Sequence, residues 1–163
     1  MSLCEIIGFT CTTITFNIGI AFLTREDEET YAWVLQQVRM LLGTAKPKAI
    51  VTYREFGLIK ALGVVFPHVQ HLLCWVHILR CCKDKAFGIM KNEDIKARFK
   101  TDCRGLFMSL SEKIYVRRRR IMFARWPTLT SYVDKLWLQP YKKNIVKAWT
   151  DTVFHIETRT TNR

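Results

Sequence analysis

The sequence predicts an α/β fold: strands and helices in layers, followed by a basic region that is helical throughout. Three observations predict it. Two β-branched runs lie side by side near the start, and short apolar runs then alternate with helical periodicity as far as Val76. Beyond Lys83, aromatic residues recur among basic ones with no strand pattern between them. At 163 residues, 49% apolar and 25% charged, the chain has the size and composition of a unit that buries its own core.

In chain order, Glu5–Cys11 and Ile14–Leu23 are separated by Thr12 and Thr13 and have the form of an antiparallel hairpin. The uncharged stretch Ile6–Leu23 is 18 residues long, the lower limit for a membrane-spanning helix. It holds five Thr or Asn residues and two Gly, is rich in β-branched types, and follows Glu5 where a signal peptide needs Lys or Arg. Two strands explain it, and no membrane segment is expected. Glu26, Asp27, Glu28 and Glu29 then suit a first helical turn, where the helix dipole favours negative charge. Tyr31, Val34, Leu35, Val38, Leu41 and Leu42 follow at helical spacing, closed by Gly43.

Lys48–Thr52 (KAIVT) has the almost wholly apolar pattern of a strand buried on both faces. Phe56, Ile59, Leu62 and Val65 mark a second helix, ended by Pro67. Val69–Cys74 reads as a further strand entering a helix near Val76. From Lys83 onward, Phe87, Phe99, Phe107, Tyr115, Phe123, Trp126, Trp137 and Trp149 fit packed helices, the last two as core residues. The expected division is a core domain over 1–82 and a basic helical region over 83–163.

Charge separates along the same line. Lys plus Arg number 26 and Asp plus Glu 14, giving +12. Residues 1–73 carry 6 of each sign, and residues 74–163 carry 20 basic against 8 acidic side chains. The 74–163 half is therefore the one expected to meet a polyanion such as nucleic acid, the bland alternative being a solvated helix face. Arg117, Arg118, Arg119 and Arg120 form its densest cluster, suited to phosphates or to a nuclear import signal. Lys142, Lys143 and Lys147, with Tyr141, fall on one side of a single expected helix as a phosphate-tracking stripe. The six cysteines are too few and too irregular for a secreted disulfide scaffold, which places reduced thiols inside a cell.

Cys74, His77, Cys81 and Cys82 give C-x2-H-x3-C-C, which invites a zinc hypothesis resting on Cys74, His77 and Cys81. His77 and Cys81 share a helical face, but Cys82 points about 100° away, and thiols packing as small apolar groups are the competing reading. His68 and His71 flank a strand and read as structural. With no Gly-rich phosphate loop and no Ser-His-Asp arrangement, no small-molecule substrate is indicated.

Three strings in order resemble the Mutator-like element (MULE) transposase domain. Residues 3–23 (LCEIIGFTCTTITFNIGIAFL) resemble a hairpin that the family writes as "LLEIVGVTSTNLTFSVAFAYL", and residues 49–79 and 131–163 follow at the family's spacing. The resemblance implies a ribonuclease-H-like fold and metal-dependent DNA strand transfer, with three carboxylates holding two Mg²⁺ or Mn²⁺ ions. The first Asp belongs to a "DxTYKTN"-like string that would precede Met1. The second ends the strand of a "VTDRE" string, read here as Val51-Thr52-Tyr53-Arg54-Glu55, so that Tyr53 stands in its place. The third, a Glu, should follow the Thr160-Thr161-Asn162-Arg163 at which the chain stops.

The expectation is a truncated ribonuclease-H-like fold lacking its first strand, catalytically inactive and binding no metal as written. Cys74-Trp75-Val76-His77 resembles the family's CxxH motif, which implies that Trp75 and His77 lie near bound DNA, Trp75 being able to stack on a base. Without its central first strand, the sheet must pair Glu5–Cys11 directly with Lys48–Thr52 or take up a strand from elsewhere, self-association included. Two functional readings remain open. One is a fragment of an inactive transposase; the other is a domesticated DNA-binding regulator resembling the far-red-impaired-response proteins. Either would act in the nucleus.

Overall fold

A computed structural model describes residues 1–10, 14–89 and 92–151. The expected turn at Thr12–Thr13 and the Thr160–Arg163 string lie outside the described residues. The fold is mixed α/β, with small sheets and a majority of helix. The described residues fall into two compact units, one drawn from 1–50 and 54–71, the other from 51–53 and 72–151. Among the described residues no helix is long and apolar enough to cross a membrane.

In the first unit, β1 (Ser2–Phe9) and β2 (Thr15–Leu23) form an antiparallel hairpin, longer at its start than the Glu5 boundary expected from β-branching. Its register steps between Ile6, opposite Gly19, and Ile7, opposite Asn17, leaving Ile18 as an extra residue that bulges β2. Burial alternates along β1, with Cys4 and Ile6 turned to the core and Leu3 and Ile7 outward. The Phe16 ring lies over Gly8, where a Cβ would come within 2.3 Å of Phe16 Cζ unless that exposed ring moved aside.

The helix α1 (Glu28–Leu42) takes Glu28 and Glu29 into its first turn, while Glu26 and Asp27 of the expected acidic turn precede it. Asp27 is the N-cap and its carboxylate accepts from Thr30 N at 2.9 Å, which holds the Asp27 carboxyl below its ordinary range. Gly43 ends it at φ 56, a left-handed conformation that glycine adopts at no steric cost. Its Tyr31, Val34 and Leu35 pack with Leu23 and with Leu58, Ala61, Leu62 and Val65 of α2 (Phe56–Val65). The α1 start and α2 approach so closely that a Cβ on Gly57 would stand 2.9 Å from Asp27 C and Glu28 N. Phe56, expected on the inward face, is exposed instead; Leu58 takes that role.

β3 (Ala49–Thr52) and β4 (Gln70–Leu73) make a second two-stranded sheet. Gln70 N donates to Lys48 O and Cys74 N to Thr52 O, a constant offset that marks a parallel pair. β3 is half-buried over Ala49–Val51 rather than enclosed on both faces. Among the described residues β1 does not pair with β3, so direct closure of the sheet does not occur.

The second unit is helical beyond β4, as the absence of any later strand pattern predicts. Its helices are α3 (Trp75–Phe87), α4 (Glu93–Phe107), α5 (Glu112–Arg125) and α6 (Pro127–Val133). A π-helical turn, Asp134–Leu138, leads into α7 (Gln139–Ile145), followed by the short α8 (Lys147–Thr150). Phe99, Leu106, Phe107, Met122, Leu129 and Val133 are fully buried, and Trp137 nearly so, which places the unit's core between α3, α4, α5 and α6. In the π turn Gln139 N donates to Asp134 O, five residues back, which widens the helix by one residue.

Candidate functional site

The end of β3 is where the resemblance puts a metal-binding carboxylate. Tyr53 occupies that position and is 44% exposed. Arg54 stacks over the Phe56 ring at 5.2 Å. The nearest carboxylate in sequence, Glu55, is the N-cap of α2 and accepts from Gly57 N at 3.0 Å. Its oxygen satisfies a helix donor that has no partner within the helix. A phenol and a committed capping carboxylate do not fit a pair of hard divalent cations, which need several convergent anionic oxygens. Among the described residues no three or more His, Cys, Asp and Glu side chains gather as a metal-holding group.

At the β4–α3 corner, Cys74 is the N-cap residue, wholly buried, and contributes no side-chain cap. Trp75 begins α3, with the Arg104 guanidinium 5.6 Å over its ring, so one face of the indole is already covered. His77 is half-buried, and burial together with Arg80 lowers its pKa. Cys81 is exposed, whereas Cys82 and Cys103 are buried and hydrogen-bonded to each other, which with burial pushes the Cys103 thiol upward. Of the four ligand candidates in C-x2-H-x3-C-C, Cys74 and Cys82 are buried, His77 is half-buried and Cys81 is exposed.

The arginine run does not act as one cluster. Arg118 donates to Gly105 O and to Ser109 Oγ at 3.4 Å, tying α5 to the end of α4. Arg119 makes a two-pronged bond to Asp134, Nε to Oδ1 at 2.6 Å and Nη2 to Oδ2 at 2.8 Å, and lies 4.9 Å over the Phe123 ring. Gln139 Nε2 adds a third donor to Asp134 at 2.9 Å. The Arg119 guanidinium, before any other cause, holds the Asp134 carboxyl below its ordinary range. Further along, Asp102 accepts from Arg125 at 2.8 Å and from Trp126 Nε1 at 2.9 Å.

Arg117 and Arg120 remain exposed, and with exposed Lys113 they stand at i, i+4 and i+7 of α5, one side of the helix. Lys113 was not singled out by sequence density; helical spacing from Arg117 is the signal that finds it. The expected lysine stripe is broken. α7 ends at Ile145 and Val146 is extended (φ −82, ψ 132), so Lys147 belongs to α8 and not to the helix of Lys142 and Lys143. Lys142 lies 5.2 Å over the Trp149 ring, and Lys147 pairs with Asp151 at 3.5 Å. Lys143 is exposed.

Comparison with known proteins bears on the first half. Residues 1–81 match the family model of the MULE transposase domain. Two Arabidopsis thaliana proteins are similar over part of the chain. Protein FAR1-RELATED SEQUENCE 4 is 29% identical over 62 residues, 38% of this chain and 8% of that protein. Protein FAR1-RELATED SEQUENCE 5 is 30% identical over 67 residues, 41% of this chain and again 8% of that protein. The matched stretch is thus a small part of either relative.

Proposed function

From the premise that residues 1–81 belong to the MULE transposase domain family, we propose that this chain is a transposase-derived segment that binds DNA without cutting or joining it. One observation carries the inactivity: at the end of β3 the phenol of Tyr53 stands where the family's carboxylate would, and the neighbouring Glu55 carboxylate is spent on the α2 cap. A neutral phenol with pKa near ~10 offers Mg²⁺ a poor ligand at neutral pH.

In this reading residues 1–82 are a ribonuclease-H-like remnant and residues 83–163 a basic insertion that meets DNA. Two small sheets, a parallel β3–β4 pair and an antiparallel hairpin support it. The charge imbalance supports the DNA contact, since all of the net +12 falls after Leu73. Similarity to the two FAR1-related proteins favours a second form of the same reading, a domesticated nuclear regulator in place of a relic. The test is a Mn²⁺ titration followed by electron paramagnetic resonance, with cleavage of supercoiled plasmid in parallel. We expect no saturable Mn²⁺ site and no nicking; cleavage abolished by Glu55→Gln would overturn the proposal.

A further inference from the structure

The exposed side of α5 carries the most specific reading of the basic half. Four arginines in a row look equivalent in sequence, yet Arg118, itself exposed, is engaged by Gly105 O and Ser109, and the half-buried Arg119 by Asp134. On the opposite side Lys113, Arg117 and Arg120 are exposed. Their spacing covers seven residues, about 10 Å of helix at 1.5 Å per residue. The one acidic residue of α5, Glu112, sits about 100° around the helix from Lys113.

We propose that Lys113, Arg117 and Arg120 form a phosphate-binding ridge that lies along one strand of duplex DNA. This rests on the DNA-binding reading above and narrows it to three side chains. Complementary charge names a polyanion, and about 10 Å along α5 is long enough for three extended side chains to reach different phosphates of one strand. The aromatic groups of this region decide for a duplex over an unstacked single strand. Tyr115 is buried edge-on against Trp149, Phe123 is covered by Arg119, and Trp126 is bonded to Asp102 and edge-on to Phe99. None of these rings offers the open platform on which bases stack.

The experiment is a fluorescence-anisotropy titration of a mixed-sequence DNA duplex between about 50 mM and about 200 mM salt. It compares the unaltered chain with the K113Q/R117Q/R120Q triple variant and with a control of equal charge loss, R80Q/R98Q/K100Q, whose three residues are exposed elsewhere in the helical unit. The ridge variant should lose at least about tenfold in affinity and flatten the slope of log K against log salt by about 2.7, from three phosphate contacts. The control should keep most of the slope, and thermal melts should coincide because all six side chains are exposed. Equal losses in both variants would overturn the ridge, as would tighter binding to single strands, duplex RNA or phosphatidylserine vesicles. If the unaltered chain bound no duplex even at low salt, the broader DNA-binding reading would fall with it; if it bound and the ridge variant bound alike, only the ridge would fall.

Discussion

Replacing Asp134 by Asn tests whether Arg119 serves the fold or the surface. Asp134 is 4% exposed and accepts three hydrogen bonds, two from Arg119 and one from Gln139. Breaking a buried ion pair from one side costs about 3–5 kcal/mol when the stranded charge is fully desolvated. Here the Arg119 side chain is 39% exposed, so part of its hydration survives, and the new amide oxygen keeps one acceptor site. The expected loss is about 2–3 kcal/mol, a large fraction of a domain's ~5–15 kcal/mol. Urea unfolding read by tryptophan fluorescence measures it well, since four of the five tryptophans belong to the helical unit. The sign with pH is fixed. The Asp134 carboxyl is depressed in the folded chain, so its contribution is complete above the ordinary value of ~3.9 and fades as pH falls through the lower folded value. The Asp134→Asn penalty should therefore shrink in acid. A penalty below about 0.5 kcal/mol at neutral pH, or one unchanged throughout the acid range, would show that the Arg119–Asp134 pair does not hold this part of the fold. Arg119→Met should cost comparable stability yet leave the salt slope of DNA binding in place.

Three other outcomes are expected. Gly57→Ala should destabilise the first unit by about 1–3 kcal/mol in thermal or chemical unfolding, because the added methyl meets backbone atoms of Asp27 and Glu28 that have no rotamer to escape into. Glu55→Ala should cost about 0.5–2 kcal/mol through the lost α2 cap, while Glu55→Gln, which keeps an acceptor oxygen, costs less; equal losses would remove the cap as the cause. His71 is pushed down to about 4 by burial. Between about pH 6.5 and that value the unfolded chain holds the extra proton, so stability should fall by up to about 3 kcal/mol as pH drops across the window, and His71→Gln should flatten that part of the profile.

The elements legible in the sequence were those written in periodicity. Tyr31, Val34, Leu35 and Val38 announce the buried face of α1, and the acidic stretch and Gly43 announce its ends to within two residues. The β4–α3 corner follows from an apolar run meeting a helical one. What depends on direction around a helix was not legible as residue density. Neighbours in α5 point about 100° apart, so Arg117 and Arg118 lead opposite lives although they are adjacent in the chain. The break at Val146 was hidden for a related reason: lysines at helical spacing look alike whether or not the helix continues. Backbone proximity at Gly57 and the Ile18 bulge are tertiary facts, set by what packs opposite. At the end of β3 the string shows Tyr53 in place of a carboxylate but could not show that the nearest carboxylate, Glu55, already caps α2.

The π turn at Asp134–Leu138 has a consequence for alignment and for engineering. One surplus residue advances everything after Leu138 by about 100° relative to a regular helix. Excising Lys135 would let the segment relax to ordinary α geometry, but would rotate α7 so that Ile145 left the interior and Gln139 lost its reach to Asp134. Length variation among relatives should therefore be poorly tolerated across these five positions and freer on either side of them.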